Sequence, residues 1–320
     1  VSDHVKIVVK DANGNVVFDS KTNTGASNTN PANVGEYTVE LVYEKTETVS
    51  ETTKTTSYPV CAPGTLKITP KEVTIKVTGG TITKEYDGTQ NLVLPAGVTL
   101  TIEGNPADLT VDPSALQYAS ADASAAAINI ELVPGKTCLT GDAAANYNVS
   151  LDGLTGTITK RMVLVVPNEN TFTYGEDEQI ENALKNSYNP SAETGTLPTD
   201  AAKRPKFTDD SVLVLTKNGA AVSKNSDGSY DAGTYQISIE KLKLTDASAQ
   251  NYEFKLKTTT EKPSYTWTIS KKSVDPFNVT LEADYGVYGS ELYAMLNTAK
   301  VTVDGKEVNF NTLYNVAALD

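Results

Sequence analysis

The chain has 320 residues, 39% of them hydrophobic and 21% charged, with a net charge of −13. That length exceeds one ordinary core and implies two to four domains, while the composition argues against global disorder. The acidity disfavours nucleic acid and anionic membrane surfaces as partners, and no apolar run nears the ~20 residues that span a bilayer.

His, Met and Trp number only 1, 2 and 1, whereas Tyr reaches 16. Sulfur-poor, Thr/Asn/Tyr-rich usage is familiar in secreted β-rich proteins. The chain opens at Val1 without a signal-peptide pattern, which reads as a mature fragment of a longer product. Cys61 and Cys138 do not occupy equivalent positions in the repeat described below, so two unpaired thiols are expected, with one bridge between modules as the alternative.

Residues 1–70 read as strands and turns. Val5–Val9 and Val16–Phe18 flank Asn13-Gly14, a strong hairpin signal. Asp11, Asn13 and Asn15 imitate the start of a calcium loop, but no downstream Glu completes it. After a polar loop at Gly25–Val34 comes the alternating strand Gly35–Leu41. Glu44–Thr56 reads as two exposed edge strands or one long hairpin. In residues 71–160, Val73–Val77 and Val98–Ile102 alternate with period two, and Lys84–Thr89 carries an Asp-Gly turn. Ile128–Leu132 is strand-like, and alanine propensity offers a helix at 121–127 as a minor alternative to extended chain.

Residues 161–271 open on Val163–Val166. Ile180, Leu184 and Tyr188 then recur at helical spacing, with acids early and Lys185 late, as a short amphipathic helix requires. Residues 187–206 read as a surface insertion. Val212–Leu215, Asp231–Ile239 and Asn251–Leu256 read as strands, with a turn at Asn225–Gly228. Residues 272–320 hold a partial or small fourth module, with helical spacing at Leu292, Met295, Leu296 and Ala299 and a hairpin at Asp304-Gly305.

Three joints organise these elements: Gly64–Val77, Gly156–Val166 and Thr266–Leu281. At each, an alternating strand runs almost directly into the next. Ile68, Ile158 and Ile269 hold equivalent places, 90 and 111 residues apart. A Gly-x-Tyr or similar strand, an Asn-Tyr or Ser-Tyr pair, and a later Tyr (Tyr86, Tyr174, Tyr285 or Tyr288) follow in the same order each time. Landmarks repeated in order mark a tandem array.

KEYDGT (Lys84–Thr89), AANYNVSLDGLTGTITKR (Ala144–Arg161) and TYG (Thr173–Gly175) resemble the YDG and MBG repeat modules of bacterial surface proteins. DAGTYQISI (Asp231–Ile239) and AQNYEFKL (Ala249–Leu256) fit the same pattern. The resemblance spans roughly residues 30–290 and implies an extracellular, adhesin-like setting. It carries over no catalytic residues.

Little chemistry is on offer. His4 is the only histidine, which argues against His catalysis and zinc, and no phosphate-binding Gly motif follows a strand. Asp209-Asp210 and Glu176/Asp177/Glu178 could serve as glycosidase carboxylates, but Trp267, the lone Trp, lies in a joint strand where core packing is expected. The recurring tyrosines fit a structural role beneath turns better than a sugar platform. The basic pairs Lys160-Arg161 and Lys271-Lys272 are either salt-bridged or solvated, and calcium at the junctions would suit the acidity without a complete ligand set.

The expected fold is all-β, a tandem array of small β-sandwich or Ig-like modules in an extended rod. Its modules span 1–70, 71–160, 161–271 (with an insertion near 187–206) and 272–320. For 161–320 a β-grasp-like module with a short helix is the alternative. The expected function is a non-enzymatic stalk or adhesion segment of a bacterial cell-surface protein. Its partner would be a host or neighbouring-cell protein or glycan, with no cofactor, no catalytic or metal residues and no membrane insertion. Alternatives are an accessory carbohydrate-binding array of a secreted enzyme and a pure spacer or filament subunit.

Overall fold

The computed structural model describes residues 4–22, 33–49, 52–104, 109–274, 279–282, 300–303, 306–307 and 314–316. The fold is all-β, with two short helices among several small sheets. The chain divides into two compact units. The first takes Val1–Lys84, Thr89–Ala121 and Ala125–Ile158; the second takes Glu85–Gly88, Asp122–Ser124 and Thr159–Asp320.

The first unit opens with β1 (Val5–Lys10), β2 (Val16–Asp19), β3 (Gly35–Val49), β4 (Thr52–Pro59) and β5 (Gly64–Ile68). They form one antiparallel sheet ordered β2-β1-β3-β4, with β5 also on β3. At Asn13-Gly14 the glycine takes φ 83°, and Asp11 Oδ1 accepts the Asn13 and Asn15 amides at 2.9 and 2.8 Å. That carboxylate closes the hairpin. Glu44–Thr56 is one long hairpin of β3 and β4.

Period-two alternation gives this sheet two unlike faces. Directly opposed partners put Val5, Ile7, Val9, Phe18, Tyr37, Val39, Leu41, Tyr43, Tyr58, Leu66 and Ile68 on one face. The other face is charged: Lys6 bridges Asp19 and Glu44 at 2.6 and 2.7 Å, and Lys10 reaches Glu40 at 2.7 Å. Hydrogen bonds that the Lys6 ammonium donates to Asp19 and Glu44, opposed by burial, hold it above its ordinary range.

The rest of the first unit adds β6 (Lys71–Thr78), β7 (Thr83–Glu85), β8 (Thr99–Ile102), β9 (Thr110–Val111), β10 (Leu116–Tyr118), β11 (Ser124–Leu132), β12 (Leu139–Thr140), β13 (Tyr147–Ser150) and β14 (Thr155–Thr159). They build a mixed sheet β13-β6-β8, an antiparallel pair β12-β9 and a sheet ordered β10-β11-β14-β7. Extended chain prevails over helix at 121–127. β11 begins at Ser124 because Ile128 and Ile130 must bury one face of a strand, and alanine's helix preference is too small to compete. Val73, Ile102, Leu109 and Leu139 form a small core.

The second unit contains β15 (Arg161–Pro167), β16 (Thr171–Thr173), α1 (Asp177–Asn186), β17 (Tyr188–Ala192), β18 (Val214–Lys217), β19 (Ala220–Ala221), β20 (Gly233–Ser238), α2 (Asp246–Asn251), β21 (Tyr252–Leu256) and β22 (Thr266–Ser270). A sheet β17-β15-β21 and a sheet β16-β22-β20-β18-β19 share one core with α1. Ile180 and Leu184 of α1 are buried as the helical spacing requires, whereas Tyr188 starts an edge strand. That strand takes up the first residues of the 187–206 stretch. Beyond it lie β23 (Lys272–Val274), β24 (Val279–Glu282), β25 (Lys300–Val303), β26 (Lys306–Glu307) and β27 (Tyr314–Val316). β25 and β26 pair antiparallel, as the Asp304-Gly305 signal anticipates, although the turn residues themselves fall outside the described set. The helical spacing at 291–299 and the tyrosines at 285 and 288 also lie outside it.

The repeat is written into strand register. Lys71 pairs with Tyr147, Arg161 with Tyr252 and Lys272 with Tyr314, each in a parallel ladder. Gly35 pairs with Ile68 and Tyr37 with Leu66, just as Gly233 pairs with Ile269 and Tyr235 with Trp267. At the last two joints one residue, Lys160 or Lys271, separates the strands, and at the first only Thr69-Pro70 does.

Candidate functional site

In the second unit a cluster of polar and aromatic side chains surrounds the Asn251-Tyr252 pair, where α2 ends and β21 begins. Tyr252 pairs with Arg161 in the ladder, and its ring meets Tyr86 edge-on with centroids 5.2 Å apart. Such tilted pairs add stabilisation beyond their buried area. Both rings are buried, and the Tyr252 hydroxyl donates to Lys203 O at 2.6 Å. Burial, reinforced by Tyr86 and opposed by Arg161, pushes the Tyr252 phenol up to about 12. Burial and then Asp122, Asp87 and Asp200 push Tyr86 up as well.

Arg161 is 8% exposed. Nη1 donates to Tyr86 O at 3.3 Å and Nη2 to Thr194 O at 2.6 Å, while Nε lies 3.9 Å from Glu85 Oε2 and makes no hydrogen bond. Thr194 in turn donates to Glu85 at 3.2 Å. The basic pair at this joint thus splits: Lys160 is exposed, and Arg161 works as a buried fork joining two carbonyls.

Asn251 makes a two-pronged contact. Its Oδ1 accepts the Ala123 amide at 2.7 Å and its Nδ2 donates to Asp122 Oδ1 at 3.0 Å. The first unit repeats the arrangement: Asn146 Oδ1 accepts the Val34 amide at 2.7 Å and Nδ2 donates to Asn33 Oδ1 at 3.0 Å. Asn146 and Asn251 each precede the ladder tyrosine by one residue. Their partners, Asn33-Val34 and Asp122-Ala123, each lie just before a strand, β3 or β11. Asn33 and Asp231 are further matched in that their carbonyls accept the hydroxyls of Tyr37 and Tyr235 at 2.7 and 2.6 Å.

Beside the Asn251-Tyr252 pair is a cavity of about 230 Å³ lined by Asp122, Lys203, Arg204, Lys206, Ser248 and Asn251, among others. Among the described residues no three His, Cys, Asp or Glu side chains gather as a metal site.

Of the carboxylates singled out as glycosidase candidates, Asp210, Glu176 and Asp177 are engaged by their own neighbours. Asp209 and Asp210 sit on an exposed turn, where hydrogen bonding to Thr208 holds Asp210 below its ordinary range. Glu176 accepts the Thr173 amide at 2.7 Å and Asp177 the Tyr230 amide at 2.9 Å. Trp267 is 1% exposed and donates to Asn168 O at 2.7 Å, a core position. Tyr174 is buried, its hydroxyl donating to Asp227 at 3.0 Å. His4 stands 6.1 Å from the Tyr43 ring on the first sheet. Both cysteines are free, Cys61 exposed and Cys138 buried. Residue spacing alone does not single out Asn146 and Asn251. The signal available was the pairing of each Asn-Tyr with an Asn/Asp-Val/Ala dipeptide before an earlier strand.

Residues 69–156 match the YDG domain family. The YDG span thus runs from just before β6 into β14 and includes the Tyr86-Asp87-Gly88 turn. No curated protein matches the chain. A solved structure described as "The Bacillus anthracis TIE protein" is similar at 8% identity with a TM-score of 0.17, over 94% of this chain and 59% of that one.

Proposed function

We propose that this chain is a non-enzymatic segment of a bacterial cell-surface protein, built from YDG- and MBG-like modules at 1–70, 71–160, 161–271 and 272–320, that spaces and presents a ligand-binding tip. The observation that carries it is the repeated register. The same parallel ladder starts each of the last three modules, joined by one or two residues, so load can pass from strand to strand without a linker. The buried polar side chains at the central joint bind backbone and leave no reactive group poised, which favours a mechanical role over a catalytic one.

Pulling single tethered chains tests this. Lys71–Lys160 should unfold as its own event, with a contour gain of roughly 300 Å for its 90 residues. One featureless extension of the whole chain would sink the spacer reading. Adhesion is tested separately on glycan arrays and immobilised host-matrix proteins, where binding assigns the ligand to this segment and silence on both assigns it elsewhere.

A further inference from the structure

In the second unit β22 pairs in parallel with β16: Thr171 faces Thr268, Phe172 faces Ile269 and Thr173 faces Ser270. Bonds on either side extend this patch. Thr268 N–H donates to Asn170 O at 3.1 Å, Tyr174 N–H to Ser270 O at 2.8 Å and Trp267 Nε1–H to Asn168 O at 2.7 Å. Residues 168–174, which follow β15 directly, are thereby tied to residues 267–270, which close the module. The two backbone bonds recur one module earlier. There Thr157 N–H donates to Ile82 O at 3.0 Å and Tyr86 N–H to Thr159 O at 2.9 Å, with identical spacing on both strands. The tyrosine that follows each joint, Tyr86 or Tyr174, is thus the residue whose amide reaches the strand ending its module.

Strand direction decides how such a patch meets tension. Pulling on the chain draws β15 and β16 from their N-terminal side and β22 from its C-terminal end. In a parallel pair those are opposite ends, so the strands are drawn past one another and their bonds load together. In an antiparallel pair they are the same end, and the bonds open one at a time. We propose that the patch joining residues 168–174 to 267–270 is a mechanical clamp, which must shear before residues 175–266 feel tension. The inference rests on the load-bearing role proposed above. β15 backs the clamp, because it too lies in a parallel ladder, on β21 from Arg161 opposite Tyr252 to Val165 opposite Leu256. Arg161, where the tension enters, is further pinned by Tyr86 O and Thr194 O. Such a clamp raises the barrier to forced opening, a kinetic quantity distinct from the equilibrium stability of the fold.

Pulling single full chains in two directions tests this. Held at its two termini, the chain loads the clamp in shear. Held instead at the C-terminus and at Ser226→Cys, in a Cys61→Ser background, it takes tension into β20 at Gly233, which faces Ile269 near the end of β22. That antiparallel ladder peels from its end. Between the termini, residues 161–270 should open with a contour gain of roughly 350 Å, at roughly twice the force of the second direction or more. Thr268→Pro removes the amide that donates to Asn170 and should lower the force between termini at unchanged contour gain. Leu213→Ala, a buried change outside the patch, should lower the thermal midpoint and leave that force nearly unchanged. Equal forces in the two directions overturn the clamp, as does a folded Thr268→Pro variant that yields at the parent force, or a force that simply follows thermal stability across the two variants. Resolved module events with equal forces leave the spacer reading standing, whereas one featureless extension sinks both. Should Thr268→Pro fail to fold, the comparison of directions decides alone.

Discussion

Asn251 concentrates two hydrogen bonds on backbone and side chain that no other residue of its size could serve together. Its amide supplies an acceptor to the buried Ala123 N–H and a donor to the Asp122 carboxylate. Asn251→Ala leaves a buried donor unpaired and should cost about 1–3 kcal/mol in urea unfolding. Asn146→Ala, at a half-buried site, should cost less. Asn251→Asp turns the donor into a carboxylate facing Asp122, so its loss of stability should shrink as pH falls toward ~4, where carboxyls protonate. Tyr252 makes the opposite kind of test. Its folded phenol titrates at about 12, above the ~10 of an unfolded tyrosine. A raised folded value means the unfolded chain releases its proton first, so this contribution is whole below pH ~10 and is lost as pH climbs toward 12. Alkaline melts of the parent should fall through that window more steeply than those of Tyr252→Phe.

At the scale of elements, period-two alternation located most strands and helical spacing located α1, because each must bury one face of a known periodicity. Strand direction was not legible. Residues 71–78 and 147–150 look alike whether they run parallel or antiparallel, and only the long connection between them hints at a crossover. Gly156 illustrates a packing constraint that spacing cannot reveal. It sits in β14 where a Cβ would come within 2.9 Å of Ile82 Cγ2 and Tyr118 Cε1 and 3.0 Å of Ile82 O. Gly156→Ala should therefore destabilise by about 1–3 kcal/mol, measured in chemical denaturation. Gly153→Ala nearby meets no atom within 4 Å and tests the φ of 76° alone.

Across the whole molecule, what recurs is the hydrogen-bond ladder more than any side chain. Lys71 and Lys272 are exposed lysines and Arg161 is a buried arginine, yet each faces a tyrosine in the same parallel register. The joints could be found in the sequence because strands there have no linker between them. The asparagine contacts could not, because their two halves lie 112 and 128 residues apart. One consequence concerns resistance to proteolysis. Lys160-Arg161 and Lys271-Lys272 are dibasic dipeptides of the kind that trypsin-like proteases cut, and a protease must draw several residues of extended chain out of their hydrogen bonds to do so. Here strands flank each dipeptide immediately on both sides, and the Arg161 side chain is already held by two carbonyls. Sites that read as vulnerable are shielded by the ladders themselves, so limited trypsin digestion should spare both while the folded chain persists.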